Sequence, residues 1–223
     1  MLKVSEEWKR EYPGAHVGIM TMRGVENPPS CPALELEKKQ LEDDLRTLFG
    51  GRSSLKDLEP IRAYQDYYKR FKKTYHVLHQ LESIIFKGKS VPRAAALVEA
   101  MFAAELRNML LTAGHDLDSV KGPLKLDIAQ GHEKYVRING SEQILKTRDM
   151  FISDSEGVIS SVIYGPDLRT MINPGTTSVI FTVYAVQGVS EHALRQHLNG
   201  IEANVKLIAP NCSTETMLVF SAD

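Results

Sequence analysis

An α+β fold, with helices packed on a mostly antiparallel sheet, is what this sequence predicts. Three observations carry that expectation. From Cys31 to about Leu111 apolar residues recur at helical spacing. After Gly114 the apolar runs become short, β-branched or aromatic, and polar residues divide them. Asn139-Gly140 and Asn173-Pro174-Gly175 are strong turn signals inside that second half.

Taken in order, residues 16–22 read as a strand. Pro32 suits a first helical turn, and Leu34, Leu41, Leu45 and Leu48 form a stripe that Gly50-Gly51 stops. Ile61, Tyr64, Tyr68 and Phe71 make a second stripe, and Val77, Leu78, Leu81, Ile84 and Ile85 a third. Lys87-Gly88-Lys89-Ser90-Val91-Pro92 breaks the third helix. Residues 94–111 then form an amphipathic helix through Leu97, Val98, Met101, Phe102, Leu106 and Met109. Strands are expected at 124–129, 134–138, 150–153, 158–164 and 178–185. Ser190 is a candidate N-cap for a helix with Leu194, Leu198, Ile201 and Val205 on its apolar face. Residues 217–220 read as a closing strand. No internal repeat or low-complexity segment interrupts this order. We divide the chain into a partly helical N-terminal extension, 1–59, packed on a main domain, 60–223.

A hydrophobic fraction of 43% supports a proper core, and no apolar run is long enough to span a bilayer. The N-terminus is charged and lacks the apolar stretch of a signal peptide. Cys31 and Cys212 have no metal-ligand spacing and no disulfide framework around them, which favours a reducing compartment. The expected location is cytoplasmic. A formal charge of −1 argues against a general nucleic-acid coat, which is normally basic. Yet residues 60–93 hold eight cations (Arg62, Lys69, Arg70, Lys72, Lys73, Lys87, Lys89 and Arg93) against only Asp66 and Glu82. Such a stretch is either a phosphate-binding face or a solvated helix surface.

No Walker loop, GxGxxG, HExxH or GxSxG element is present. Cys31, flanked by Pro28, Pro29 and Pro32, reads as an inert thiol with no helix N-terminus beside it. His76 and His79 lie three apart on a helix without a third ligand, and His132, His192 and His197 have no supporting context. The tyrosines of the second stripe suit either base stacking or a core. Two polar clusters interrupt the apolar pattern. Gly114-His115-Asp116-Leu117-Asp118 follows the amphipathic helix; Tyr164-Gly165-Pro166-Asp167-Leu168-Arg169-Thr170 follows a strand. Segments of this kind display binding residues, or are a capped loop and a tight turn with a surface Asp–Arg pair.

The succession Lys87-Gly88-Lys89-Ser90-Val91-Pro92, Ala96-Leu97-Val98-Glu99, His115-Asp116-Leu117-Asp118, Val136-Arg137-Ile138-Asn139-Gly140, Asp149-Met150, Ser160-Ser161-Val162-Ile163-Tyr164-Gly165 and Asp167-Leu168-Arg169-Thr170 resembles the tRNA-editing module (B3/B4 region) of the bacterial phenylalanyl-tRNA synthetase beta subunit. The order and spacing of these motifs carry the resemblance, across about two-thirds of the chain.

What the resemblance implies is an editing-domain-like fold and hydrolysis of the ester between a wrong amino acid and the terminal ribose of a tRNA, without cofactor or metal. The partner implied is the aminoacylated 3′ end of tRNA. In that reading His115 and Asp167 are the catalytic candidates, His115 positioning or deprotonating water and Asp167, like Asp118, suiting the substrate ammonium. Asn139 and Gly140 offer donors from a turn, Arg169 holds a phosphate or the ribose edge, and Tyr164, Gly165 and Thr170 complete the site. Lys69, Arg70, Lys72, Lys73, Lys87, Lys89 and Arg93 form the expected RNA face. The family's polar threonine–asparagine pair is replaced by Met101 and Phe102, so the pocket wall favours an apolar side chain. Two alternatives share the fold: a tRNA- or RNA-binding module without hydrolysis, and a small-molecule-binding protein using the same pocket for an amino-acid-like ligand.

Overall fold

The computed structural model describes residues 2–51 and 55–222. In chain order the elements are β1 (Leu2–Val4), α1 (Glu6–Glu11), β2 (His16–Arg23), α2 (Pro32–Phe49), α3 (Glu59–Arg70), α4 (His76–Lys87) and α5 (Ala96–Asn108), then β3 (Thr112–Asp116), β4 (Leu124–Ile128), β5 (Lys134–Val136), β6 (Glu142–Ile144), β7 (Met150–Ser153), β8 (Val158–Ser161), β9 (Gly165–Pro166), β10 (Ser178–Ala185), α6 (Glu191–Ile208) and β11 (Ser213–Ser221). This is the α+β architecture expected, and its ladders are antiparallel except where β1 runs parallel to β4.

Two sheets form the frame. One has the order β11-β2-β10-β3 and the other β1-β4-β7-β8-β9, while β5 and β6 make a separate hairpin. The fully buried β10 pairs along its whole length with β2. Helices α5 and α6 cover the first sheet. Gly18 permits that approach: a Cβ there would lie 2.9 Å from Leu194 Cδ1 and 3.0 Å from Leu198 Cδ1. Helix α6 starts at the expected cap, Ser190, whose hydroxyl accepts from Ala193 N.

Helix α3 ties helices to both sheets through its tyrosines. Tyr64 Oη donates to Tyr184 O at 2.6 Å and accepts from Leu111 N at 2.9 Å. Tyr67 Oη donates to Asp149 Oδ1, and Tyr68 Oη to Val162 O, both at 2.8 Å. Each phenol buries its ring and satisfies its hydroxyl, so these stripes are core and not base-stacking platforms. Lys38 of α2 meets Glu99 of α5 in a buried ion pair of 2.6 Å.

Four expectations change. Residues 1–59 are not an appendage, because β2 lies inside the first sheet with β11 on one side and β10 on the other. The cluster at 114–118 is no open loop: Gly114, His115 and Asp116 belong to buried β3, where His115 Nδ1 and the Asp116 carboxyl are hydrogen-bonded. Cys31 is the N-cap residue of α2, with its thiol against Leu207 O at 3.5 Å. The strands expected at 134–138 and 158–164 stop at Val136 and Ser161.

Candidate functional site

A cavity of about 700 Å³ opens between α3, α4, α5 and the edges of both sheets. Its walls are largely apolar, with Met101 and Phe102 from α5, Val162 and Ile163 after β8, and Met171 and Ile172 from the segment before β10. Gly114 makes room at the closed side, since a Cβ there would sit 2.8 Å from Ile172 Cδ1 and 3.3 Å from both Met101 Sδ and Phe181 Cε1. Of the expected binding residues, Met101, Phe102, Tyr164 and Gly165 line this cavity.

Polar groups occupy two places. At the mouth, Lys73 lies over the Tyr164 ring, 5.7 Å from its centroid, and Arg137 stands beside the β5–β6 turn. Neither side chain has a hydrogen-bonded or ion-paired partner among the described residues, which leaves both charges available to an anion. Deeper in the cavity is Glu105, only 2% exposed. Met109, in the left-handed conformation at φ 61°, turns the chain at the end of α5. That turn brings Thr112 N back to donate to Glu105 Oε1 at 2.7 Å. Burial raises the Glu105 pKa to about 8, the Thr112 N–H working against it, so the carboxyl is largely protonated at neutral pH.

The other expected site residues lie elsewhere. Strand pleating explains His115: Thr112 and Gly114 face the cavity, while Ala113 and His115 point to the opposite side of β3. There His115 is fully buried, and its Nδ1 lies 2.7 Å from Thr170 Oγ1, whose hydroxyl donates in a short hydrogen bond to Asp167 Oδ1. Since Thr170 gives its proton to Asp167, Nδ1 carries the imidazole hydrogen and Nε2 keeps an unpartnered lone pair. Burial lowers the His115 pKa to about 3, with Arg169 adding to the effect, so the 4.0 Å approach to Asp167 is no ion pair. Burial also raises the Asp167 pKa, against the Thr170 hydrogen bonds. This Asp167–Thr170–His115 chain pins the segment that carries Met171 and Ile172 into the cavity wall, and neither His115 nor Asp167 lines it.

Arg169 is engaged within the protein, donating to Ser119 O at 3.0 Å and Asp154 Oδ1 at 2.8 Å, with Glu156 at 3.4 Å. Asp118 is exposed on the turn after β3, 3.7 Å from Arg23. Asn139 and Gly140 form the exposed β5–β6 turn, where Asn139 Oδ1 accepts from Ser141 and Gly140 takes φ 81°. The expected RNA face divides in two. Lys69, Arg70, Lys72 and Lys73 cluster at the α3–α4 turn, whereas Lys87 ends α4 and Lys89 and Arg93 follow it. Twelve helical residues put about 18 Å between these ends. In the first cluster Lys69 pairs with Asp66 at 3.1 Å, and Arg70 lies over the Tyr12 ring. Among the described residues no group of three or more His, Cys, Asp and Glu is placed to hold a metal ion, and no helix is long and apolar enough to cross a membrane.

Sequence reasoning missed Glu105, Arg137 and His76 as cavity residues. Glu105 did carry a signal, as an acid four residues after Met101 and three after Phe102 on an otherwise apolar helix face. A sequence model of the B3/4 domain family matches residues 62–202. The chain belongs to the B3/4 domain family. Within it, this B3/4 protein is 30% identical over 69 residues to the phenylalanine–tRNA ligase beta subunit of Mycoplasma genitalium, a match covering 31% of this chain and 9% of that protein. Its fold is similar to that of an N-terminal fragment of the phenylalanyl-tRNA synthetase beta subunit from Pyrococcus horikoshii, with a TM-score of 0.50 at 13% identity, over 98% of this chain and 53% of the fragment. The B3/4 protein therefore spans about half of that fragment and a small part of the Mycoplasma subunit.

Proposed function

We propose that this protein is a trans-editing hydrolase that deacylates a misacylated tRNA, holding the aminoacyl-adenosine end in the cavity between helices and sheets. The observation that carries the reading is the pairing of a largely apolar cavity of about 700 Å³ with two cations at its mouth, Lys73 and Arg137, that have no hydrogen-bonded or ion-paired partner among the described residues. A ligand with a hydrocarbon body and a phosphate beside it fits both features. Kinship with a phenylalanine–tRNA ligase beta subunit is what brings tRNA to this chain as the candidate phosphate source.

Chemically the task is modest. An aminoacyl ester is already activated, so the site has to orient it, place a water and stabilise the carbonyl oxygen as charge develops. Met101 and Phe102 would grip the side chain, and Lys73 and Arg137 the nucleotide phosphates. The His115–Thr170–Asp167 chain acts behind the wall, fixing Met171 and Ile172. The reaction as written needs no cofactor, and its setting would be the cytoplasm. The test is to incubate the protein with correctly and wrongly aminoacylated tRNAs and follow loss of the ester. Acceleration for at least one mispaired species is expected; decay at the buffer rate for every pair overturns the proposal.

A further inference from the structure

We infer that His76 is the proton acceptor for the attacking water, a catalytic residue set between the part of the cavity that holds the amino acid and the cations that hold the RNA end. This rests on the cavity being the aminoacyl site proposed above, and it goes further by assigning the base that ester hydrolysis needs.

The two ends of the ligand fix where its ester sits. Met101 and Phe102 of α5 wall the apolar part of the cavity, and Lys73 and Arg137 stand at its mouth, so the bond joining amino acid to ribose falls between them. His76, three residues after Lys73 and the first residue of α4, lines the cavity there. Its ring packs against two buried phenols, 5.8 Å from Tyr75 and 6.5 Å from Tyr68 between centroids, and the residue stays open to solvent on its other side. Among the described residues neither ring nitrogen has a hydrogen-bond or ion-pair partner. An imidazole with both nitrogens uncommitted holds no part of the fold by hydrogen bonding, and it is free to exchange protons with a ligand and with bulk water.

The surroundings keep this ring neutral, and therefore basic. Burial lowers its pKa, and His79, one turn further along α4, adds to the effect. Lys73 and Arg137 share the same mouth, and α4 opens with neither an acidic residue in its first turn nor a side-chain cap, so its dipole also opposes a charged ring. The phenols of Tyr68, Tyr75 and Tyr164 are held above their usual range by burial and supply no anion. Glu105, the one carboxyl in the lining, is pushed up to about 8 by burial and accepts from Thr112 N, so it is no rival base at neutral pH.

Neutral His76 takes a proton from water as the water oxygen bonds to the ester carbonyl carbon. Collapse of the tetrahedral adduct breaks the bond from that carbon to the ribose oxygen, and the imidazolium returns its proton to this oxygen. The products are the free amino acid, a ribose hydroxyl and a neutral ring. Phosphates gripped by Lys73 and Arg137 offset the cations around the ring, so binding of the RNA end raises the His76 pKa.

The test is the pH profile of deacylation by the full chain, taken from about pH 5 to pH 8.5 on a misacylated tRNA that the wild type turns over, with the buffer rate subtracted. Wild-type rates should rise with pH and then level off, and the limb in kcat should lie at higher pH than the limb in kcat/KM. His76→Gln keeps hydrogen bonding without basicity. It should lower kcat about a hundredfold with KM nearly unchanged, and its residual rate should climb with hydroxide without levelling. His76→Ala should behave alike and regain part of its kcat in added imidazole. A Gln variant with wild-type kcat, or with a reduced rate that still levels off at the wild-type pH, overturns the assignment while wild-type turnover leaves the editing reading standing. Absence of wild-type turnover on every mispaired species removes that reading and this inference with it. Should the Ala variant not fold, the profile of the Gln variant decides alone.

Discussion

Asp149 shows what a single buried side chain does to this fold. It is fully buried between α3 and β7, and its Oδ1 accepts from Tyr67 Oη at 2.8 Å while Oδ2 has no hydrogen-bond partner among the described residues. Burial raises its pKa to about 7, and the Tyr67 hydrogen bond only partly offsets this. The folded pKa lies above the unfolded one, so between roughly pH 4 and pH 7 the native state binds more protons. Stability contributed by this group is complete below that window and is lost as pH rises through it. Asp149→Asn keeps the acceptor for Tyr67 and removes the charge. The difference in unfolding free energy between variant and wild type should therefore be small at pH 4 and grow in the variant's favour toward pH 8, by an amount on the order of 4 kcal/mol at most. Urea titrations at several pH values read that difference, and a flat difference curve would show that Asp149 ionises without cost. Gly114 makes a second residue-scale prediction. Ala at 114 pushes a methyl group against Ile172, Met101 and Phe181, so Gly114→Ala should cost about 1–3 kcal/mol and narrow the cavity. Thermal melts and analogue binding would measure both effects, and unchanged affinity would mean that the ligand does not reach β3. Neither residue could be assigned this way from sequence, since Asp149 precedes an ordinary strand and Gly114 sits in what looks like a polar loop.

At the scale of elements, legibility followed the strength of the period. Strands β7 and β10 and the α6 cap match the expected residues because their apolar runs are unbroken and bounded by turn residues. Strand β3 was illegible, because a strand buried on both faces need not alternate, and its His115 and Asp116 reach partners far away in sequence, Thr170, Asn173 and Thr176, besides the turn that Asp116 caps. Similarly, the basic stretch 62–93 reads as one face in sequence, yet α4 separates its two ends by about 18 Å. That separation makes the clusters distinguishable. Lys72→Ala with Lys73→Ala acts at the α3–α4 turn beside the cavity mouth, where Lys69 is already ion-paired with Asp66. This pair should weaken tRNA binding and lower the slope of log affinity against log salt by about 1 to 2. Lys87→Ala with Lys89→Ala, at the other end of α4, should leave the slope nearly unchanged. Filter binding across a salt series decides it, and equal losses from both pairs would mean that the RNA track runs the length of α4.

For the whole molecule the question is whether the family-matched stretch can stand without what precedes it. The B3/4 match begins at residue 62, which invites a cut near residue 59. The topology argues against it. Strand β2 pairs along its length with β10 on one side and β11 on the other, so removing it opens two ladders at once and leaves β11 with no partner in its sheet. The same cut strips Trp8, Val17, Met20, Met22, Leu34 and Leu41 from a single continuous core. It also removes Lys38, the ion-pair partner of Glu99, together with the α2 helix that packs on α5. At about 1.5–3 kcal/mol for each large side chain uncovered, the loss matches the net stability of an ordinary domain, about 5–15 kcal/mol. A 60–223 fragment should accordingly show no cooperative urea transition, and should bind hydrophobic dyes at its exposed sheet face. Co-expression with a 1–59 fragment separates loss of contacts from loss of chain continuity. If β2 acts by filling its place between β10 and β11, the two pieces should associate and regain a cooperative transition. A 60–223 fragment that unfolds cooperatively alone, with native-like circular dichroism, would show that the sheet closes without β2.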